Sequence, residues 1–251
     1  MPARAIILAA GRGERLRPLT DHTPQPLLMV RGTPLAAWHL EALARAGVRD
    51  VVMNTAWLDE QFPQVLGDGS RFGLRIHYST EGRDHGQALE TAGGIAKALP
   101  LLGERFWVVS GDVFLPGFAF DAGHVRRFDA AGHLAHLWLV PNAPHHPRGD
   151  FGIDTATGLA LADADERLTW ASVGLFRAEM FAGITPGTRL SLRPLLDEAI
   201  ARRRLGAERW QGRWTDVGSP ERLAALESAT DLPADAAAAP AAGTVNRPAA
   251  R

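Results

Sequence analysis

Four short apolar runs, at residues 5–10, 51–54, 74–78 and 106–110, alternate along the chain with helical periodicity at 35–46, 58–66 and 91–99. Apolar runs of this length between turn signals read as strands buried on both faces, and apolar residues every three or four positions read as one face of a helix. Parallel strands joined in this order need crossovers, and the crossover helices must cover both faces of the sheet. A fifth run at 134–140 extends the sheet. Beyond about residue 145 the rhythm shortens to strands at 149–153, 158–162 and 168–176. Helices at 190–203 and 220–229 then flank a strand near 208–210. The pattern predicts a Rossmann-like α/β fold, a three-layer α/β/α arrangement around a mostly parallel mixed sheet. Right-handed crossovers would bring the strand ends at 10 and 110 to one sheet edge, where open α/β folds bind ligands.

The first strand runs into Gly11-Arg12-Gly13-Glu14-Arg15-Leu16-Arg17-Pro18-Leu19-Thr20, and then into Thr23-Pro24-Gln25-Pro26-Leu27. Glycines at 11 and 13 allow a sharp turn that brings backbone N–H groups close to an anion, and Arg15 and Arg17 add fixed positive charge. The dinucleotide fingerprint does not apply, because position 16 is Leu where a third glycine is required, and no Gly-Lys-Ser/Thr tripeptide supports a Walker A loop. Taken alone, the two glycines fit a phosphate cradle or a plain strand-to-helix turn with solvent-facing arginines.

Composition narrows the function without naming it. A chain of 251 residues, 46% hydrophobic, can bury a substantial core, and a net charge of −1 offers nothing that calls for nucleic acid or a membrane surface as partner. The absence of cysteine excludes disulfides, thiolate metal sites and cysteine nucleophiles. No signal-like segment follows Met1, and the apolar runs are too short to span a bilayer, so the expected location is the cytoplasm. Lys97 is the single lysine among 27 basic residues. The alanine- and proline-rich segment 231–251 cannot bury enough apolar surface to offset its ordering entropy and is expected to be disordered, leaving one domain over 1–230.

The string Leu8-Ala9-Ala10-Gly11-x-Gly13-x-Arg15-x-x-Pro18-Leu19-Thr20, with Thr23-Pro24-x-Pro26-Leu27, resembles the opening of the sugar-1-phosphate nucleotidyltransferases. Within that family the chain is most similar to the N-acetylmuramate alpha-1-phosphate uridylyltransferases. That likeness is carried by Gly67-Asp68-Gly69-Ser70-Arg71-Phe72-Gly73, Leu89-Glu90-Thr91-Ala92-Gly93-Gly94-Ile95, Gly111-Asp112-Val113, Arg148-Gly149-Asp150-Phe151 and Trp214-Thr215-Asp216-Val217-Gly218, and it covers residues 4 to 229. It implies a GT-A-like nucleotidyltransferase fold, with a nucleotide-binding half to about residue 145 and a sugar-binding half beyond it. The implied reaction is attack by a sugar 1-phosphate, N-acetylmuramate 1-phosphate first among the candidates, on the α-phosphorus of UTP, releasing pyrophosphate in peptidoglycan recycling. Mannose or glucose 1-phosphate with another nucleotide, and a nucleotide-sugar binding protein without turnover, are the alternatives.

The same resemblance assigns roles. Magnesium would be held by Asp112 and Asp216, for which the plain alternatives are turn or cap residues. Arg15, position 25 and Asp112 would be catalytic. Nucleotide binding would fall to Ala9, Ala10, Gly11, Gly13, Glu14, Arg15, Gln25, Gln87 and Gly93, and the acceptor sugar would meet Ser110 and Asp150. Ala92, Gly93 and Gly94 could admit a flat base or simply pack a helix start on the sheet. The loop 81–88 is a few residues longer than the family pattern and offers both Glu81 and Gln87 to a base edge. Lys97 reads as a solvated side chain, and His145 and His146, in a proline-rich loop, as surface residues.

Gln25 departs from the pattern, since the resemblance implies a phosphate-contacting lysine between the two prolines. A neutral amide keeps the hydrogen bonding and loses the charge, and losing one preorganised contact of this kind costs about 3–4 kcal/mol in the transition state. Arg15, Arg17 and Arg31 are the candidates to cover the deficit. Slow turnover and a binding function are the alternatives.

Overall fold

The computed structural model describes residues 3–229, so the segment 231–251 lies outside the described residues. In chain order the strands are β1 (Arg4–Leu8), β2 (Met29–Val30), β3 (Thr33–Pro34), β4 (Asp50–Thr55), β5 (Arg75–Thr80), β6 (Arg105–Ser110) and β7 (Val113–Phe114). They continue with β8 (Ala135–Val140), β9 (Gly152–Asp154), β10 (Leu159–Leu161), β11 (Thr169–Arg177), β12 (Leu205–Arg209) and β13 (Thr215–Asp216). The helices are α1 (Leu35–Arg45), α2 (Gln61–Leu66), α3 (Glu81–His85), α4 (Glu90–Leu102), α5 (Ala122–Ala131), α6 (Arg193–Ala201) and α7 (Pro220–Ser228).

Nine strands form the main sheet in the order β5-β4-β1-β6-β11-β8-β12-β10-β9. The run from β5 to β6 is parallel throughout, β11 is antiparallel to both its neighbours, and β12 lies parallel to β8. Successive side chains of a strand point to opposite faces. Ile7, Met53, Trp107 and Val109 therefore join one core, and Ile6, Val52, Phe106 and Val108 join the other. Both sets are apolar because helices cover both faces, which is why these strands read as continuous apolar runs and not as alternating ones.

Two helices were not foreseen. In α5 only Val125 and Phe128 are buried, too few to mark a helical period, and the start is signalled by Asp121, whose side chain accepts from the Gly123 and His124 amides. The segment read as a loop at 81–88 contains α3, five residues long. Two short ladders complete the frame: β2 pairs with β3, and β7 pairs with β13, neither within the main sheet. Among the described residues no helix is long and apolar enough to cross a membrane.

Candidate active site

The register of the two central strands builds the floor. Leu8 stands opposite Ser110, and the Gly111 amide donates to the Leu8 carbonyl at 2.8 Å, so the loops leaving β1 and β6 start side by side, as the crossover argument required. Glycine is needed at 111 because a Cβ there would lie 3.0 Å from the Leu8 oxygen and 3.0 Å from Cγ of Pro26. The segment around Gln25 is thereby packed directly over the end of β6.

Asp112 follows, with the Ser110 hydroxyl donating to its Oδ1 at 2.6 Å. The chain then enters β7, where Val113 pairs with Asp216 and Phe114 with Thr215 in β13, and the Val217 amide donates to the Asp112 carbonyl at 2.8 Å. This small ladder brings together two carboxylate-bearing segments from opposite ends of the chain. Its back is held by His39 of α1, whose Nε2 lies 2.9 Å from the Val113 carbonyl. Burial pushes the His39 pKa down to about 4 against the raising effect of its backbone hydrogen bonds, so the ring is neutral and donates.

Asp216 is held on two sides. Its Oδ1 lies 2.9 Å from Nε2 of His145 and its Oδ2 lies 3.3 Å from a terminal nitrogen of Arg222. Yet Oδ1 is buried and makes no hydrogen bond among the described residues. An unsatisfied carboxylate oxygen is costly to bury unless something else takes it up. Among the described residues no group of three or more His, Asp or Glu could hold a metal ion. A cation at Asp112 and Asp216 would thus complete its shell with phosphate and water oxygens, as magnesium does. The residues present fit that ion.

The opening loop wraps this floor. Gly13 has φ 69°, and a Cβ there would stand 2.7 Å from Oε1 of Gln25; the Thr20 hydroxyl donates to the Gly13 carbonyl at 2.8 Å. Gln25 is buried, and its amide donates to the Val217 carbonyl at 2.9 Å, tying the loop to the Asp216 strand. The arginines of the region divide sharply. Arg17 and Arg12 pair with Asp21 at 2.8 and 3.3 Å, with Arg12 also lying over the Trp57 ring. Arg31 is spent on the Ala229 carbonyl and its own amide on Glu227. Arg15 is exposed and makes no ion pair among the described residues.

On the nucleotide side the backbone is braced from below. The Ala9 amide donates to Asn54 Oδ1 at 2.9 Å, Asn54 Nδ2 donates to Glu81 Oε1 at 2.7 Å, and the Leu89 amide donates to Glu81 Oε2 at 2.7 Å. Glu81 is fully buried, and burial pushes its carboxyl up against the lowering effect of these hydrogen bonds. It is therefore an internal brace with both oxygens occupied, whereas Gln87 is exposed. Gly93 is also committed: its amide donates to the Leu190 carbonyl at 3.1 Å, and a Cβ there would strike the Thr188 carbonyl. Close packing accounts for glycine at 93, as it does at 94 against Glu81 and Asn54. Gly11 and Glu14 are exposed and Ala10 is half-buried beside them, with open space around Gly11. Lys97 is tied by Asp84 at 2.6 Å and is 15% exposed, so the expected solvated side chain is in fact anchored to α3. An open depression of about 870 Å³ outside α2 and α3, lined by Asp59, Tyr78 and Arg83 among others, includes none of the candidate site residues.

On the acceptor side, Asp150 Oδ2 takes the Trp170 amide at 2.8 Å and Oδ1 lies 3.0 Å from His146 Nε2. His145 and His146 are exposed as expected, at 38% and 43% of their side chains, but each sits on one of the candidate carboxylates. The chain turns here, with the His146 amide donating to the Ala143 carbonyl at 2.8 Å, and one histidine reaches Asp216 while the other reaches Asp150. Nothing in the sequence marks this. Arg222 escaped notice for a related reason, since only the path of the chain from Asp216 into α7 sets Arg222 against Asp216.

The model of the nucleotidyl transferase family matches residues 4–231. The chain is 47% identical over 223 residues to the N-acetylmuramate alpha-1-phosphate uridylyltransferase of Neisseria meningitidis serogroup B, covering 88% of this chain and 95% of that one. It is 31% identical over 240 residues to the protein of the same description from Caulobacter vibrioides, covering 90% and 96%. Among solved structures, a Bacillus anthracis protein assigned as a glucose-1-phosphate thymidylyltransferase superposes with a TM-score of 0.74 at 21% identity, covering 90% of this chain and 94% of that one, a likeness of fold.

Proposed function

The chain belongs to the nucleotidyl transferase family, and from that premise we propose that it is an enzyme transferring UMP from UTP to N-acetylmuramate 1-phosphate. The observation that carries the reading is the 47% identity spread over 95% of the Neisseria uridylyltransferase. Several contacts support a site for it. The open loop at Gly11 and Gly13 offers backbone N–H groups to the triphosphate beside the free guanidinium of Arg15. Asp112 and Asp216 would hold magnesium, which when bound neutralises phosphate charge. Ser110 orients the Asp112 carboxylate through its 2.6 Å hydrogen bond. Asp150, with His146 Nε2 at 3.0 Å from its Oδ1, would bind hydroxyls of the acceptor sugar. An acceptor phosphate oxygen bonds to the α-phosphorus as the bond to the bridging oxygen of the β-phosphate breaks, and pyrophosphate leaves. Little covalent work falls to the protein, which positions two anions and neutralises them. On this reading the enzyme is cytoplasmic and serves peptidoglycan recycling.

Pyrophosphate release from each of the four ribonucleoside triphosphates against a panel of sugar 1-phosphates tests the proposal. UTP with N-acetylmuramate 1-phosphate is expected to be the fastest pair. A guanine preference with mannose 1-phosphate would overturn the uridylyl assignment, and nucleotide binding without release from any pair would overturn the enzyme.

A further inference from the structure

Gly218 is where two distant arginines meet. A Cβ on this buried glycine would stand 2.8 Å from a terminal nitrogen of Arg15 and would strike a terminal nitrogen of Arg222. One guanidinium arrives from the opening loop and the other from the first turn of α7, and both lie against the backbone that follows Asp216. Asp216 Oδ2 lies 3.3 Å from Arg222, and Arg15 makes no ion pair among the described residues. Nε of Arg222 is buried with no hydrogen-bond partner among the described residues, although four-fifths of the side chain is covered. Two guanidinium groups, of which only one is paired with a carboxylate, leave an excess of positive charge and of unsatisfied donors, and phosphate oxygens match both. Among the described residues, Arg12 and Arg17 are taken by Asp21, Arg31 by the Ala229 carbonyl, and Lys97 by Asp84. Gln25, whose amide donates to the carbonyl of the preceding residue, Val217, is neutral.

We propose that Arg222 is a catalytic residue that, with Arg15, clamps the triphosphate and stabilises the departing pyrophosphate. The inference rests on the nucleotidyl-transfer reading but not on the choice of base or sugar. As the acceptor oxygen bonds to the α-phosphorus, the electron pair of the breaking bond passes to the bridging oxygen. The clamp sits beside the strand that carries Asp216 and meets this growing charge. Gly218 is glycine so that the two side chains can close over the backbone.

The test uses the full-length protein with magnesium present. Arg222→Gln should lower kcat/KM about a hundredfold to a thousandfold and weaken pyrophosphate binding, measured by calorimetry, about tenfold or more. Arg222→Lys, which keeps the charge, should retain most of the pyrophosphate affinity. Gln25→Lys places a cation next to Val217 and should raise kcat/KM by a larger factor in Arg222→Gln than in the wild type. Unchanged pyrophosphate affinity in Arg222→Gln would overturn the clamp, as would equal loss in the Gln and Lys variants or an equal effect of Gln25→Lys in both backgrounds. A wild type that binds pyrophosphate but turns over no nucleotide pair would refute the enzyme reading, and the calorimetry alone would then decide the clamp.

Discussion

Replacing Glu81 with glutamine should loosen the nucleotide side of the site from beneath. Each carboxylate oxygen accepts one buried donor, Asn54 Nδ2 and the Leu89 amide, both at 2.7 Å. A glutamine of the same shape has one acceptor, so its NH2 must face a donor. One charge-assisted hydrogen bond worth about 1.5–3 kcal/mol is lost, partly offset by the cheaper burial of a neutral amide, leaving about 2 kcal/mol of destabilisation. For a chain of this size that is roughly 4–8 °C in Tm, read by calorimetry. Because Asn54 also holds the Ala9 amide, KM for the nucleotide should rise with it. The pH dependence carries the same signature. Burial raises the Glu81 carboxyl above its ordinary 4.5, so the folded chain keeps a proton that the unfolded chain releases. Its contribution to stability is complete below about 4.5 and is lost as pH rises through the raised value, a slope that glutamine abolishes. A variant as stable as the wild type with an unchanged slope would refute the brace.

Asp112→Ala should lose turnover by about a thousandfold or more while the fold persists, measured as pyrophosphate release; retained turnover would displace the metal site. Gly13→Ala forces a side chain into a left-handed backbone and onto Gln25, and should cost about 1–3 kcal/mol in a denaturant melt along with nucleotide affinity. His39 works in the opposite sense to Glu81: its depressed pKa makes the neutral ring favourable, so stability is complete above 6.5 and falls by about 3 kcal/mol as pH drops toward 4. His39→Gln, which can still donate to Val113, should flatten that fall in urea melts across the range.

Much of the frame was legible because it is set by local pattern. The paired apolar faces of 5–10, 51–54 and 106–110 made parallel strands the economical reading, and the chirality of crossovers then put Leu8 beside Ser110. The short elements were not legible. Helix α5 buries only two side chains, and β7 and β13 are two residues each, below any periodic signal. Yet that ladder is what joins Asp112 to Asp216.

The glycine-rich opening loop shows the same division at one site. Its residues alone determined that a strand ends in a tight, cationic turn, since the φ of Gly13 and the charges of Arg12, Arg15 and Arg17 are properties of the residues themselves. Which of those charges remains available was decided only by tertiary contacts, with Asp21 taking two of the three and leaving Arg15 beside Arg222. The neutral Gln25 that looked like a missing cation proved to be a buried strut to Val217. A side chain's chemistry belongs to its residue type, but its free valence depends on what the fold sets against it, and those partners lie up to two hundred positions away.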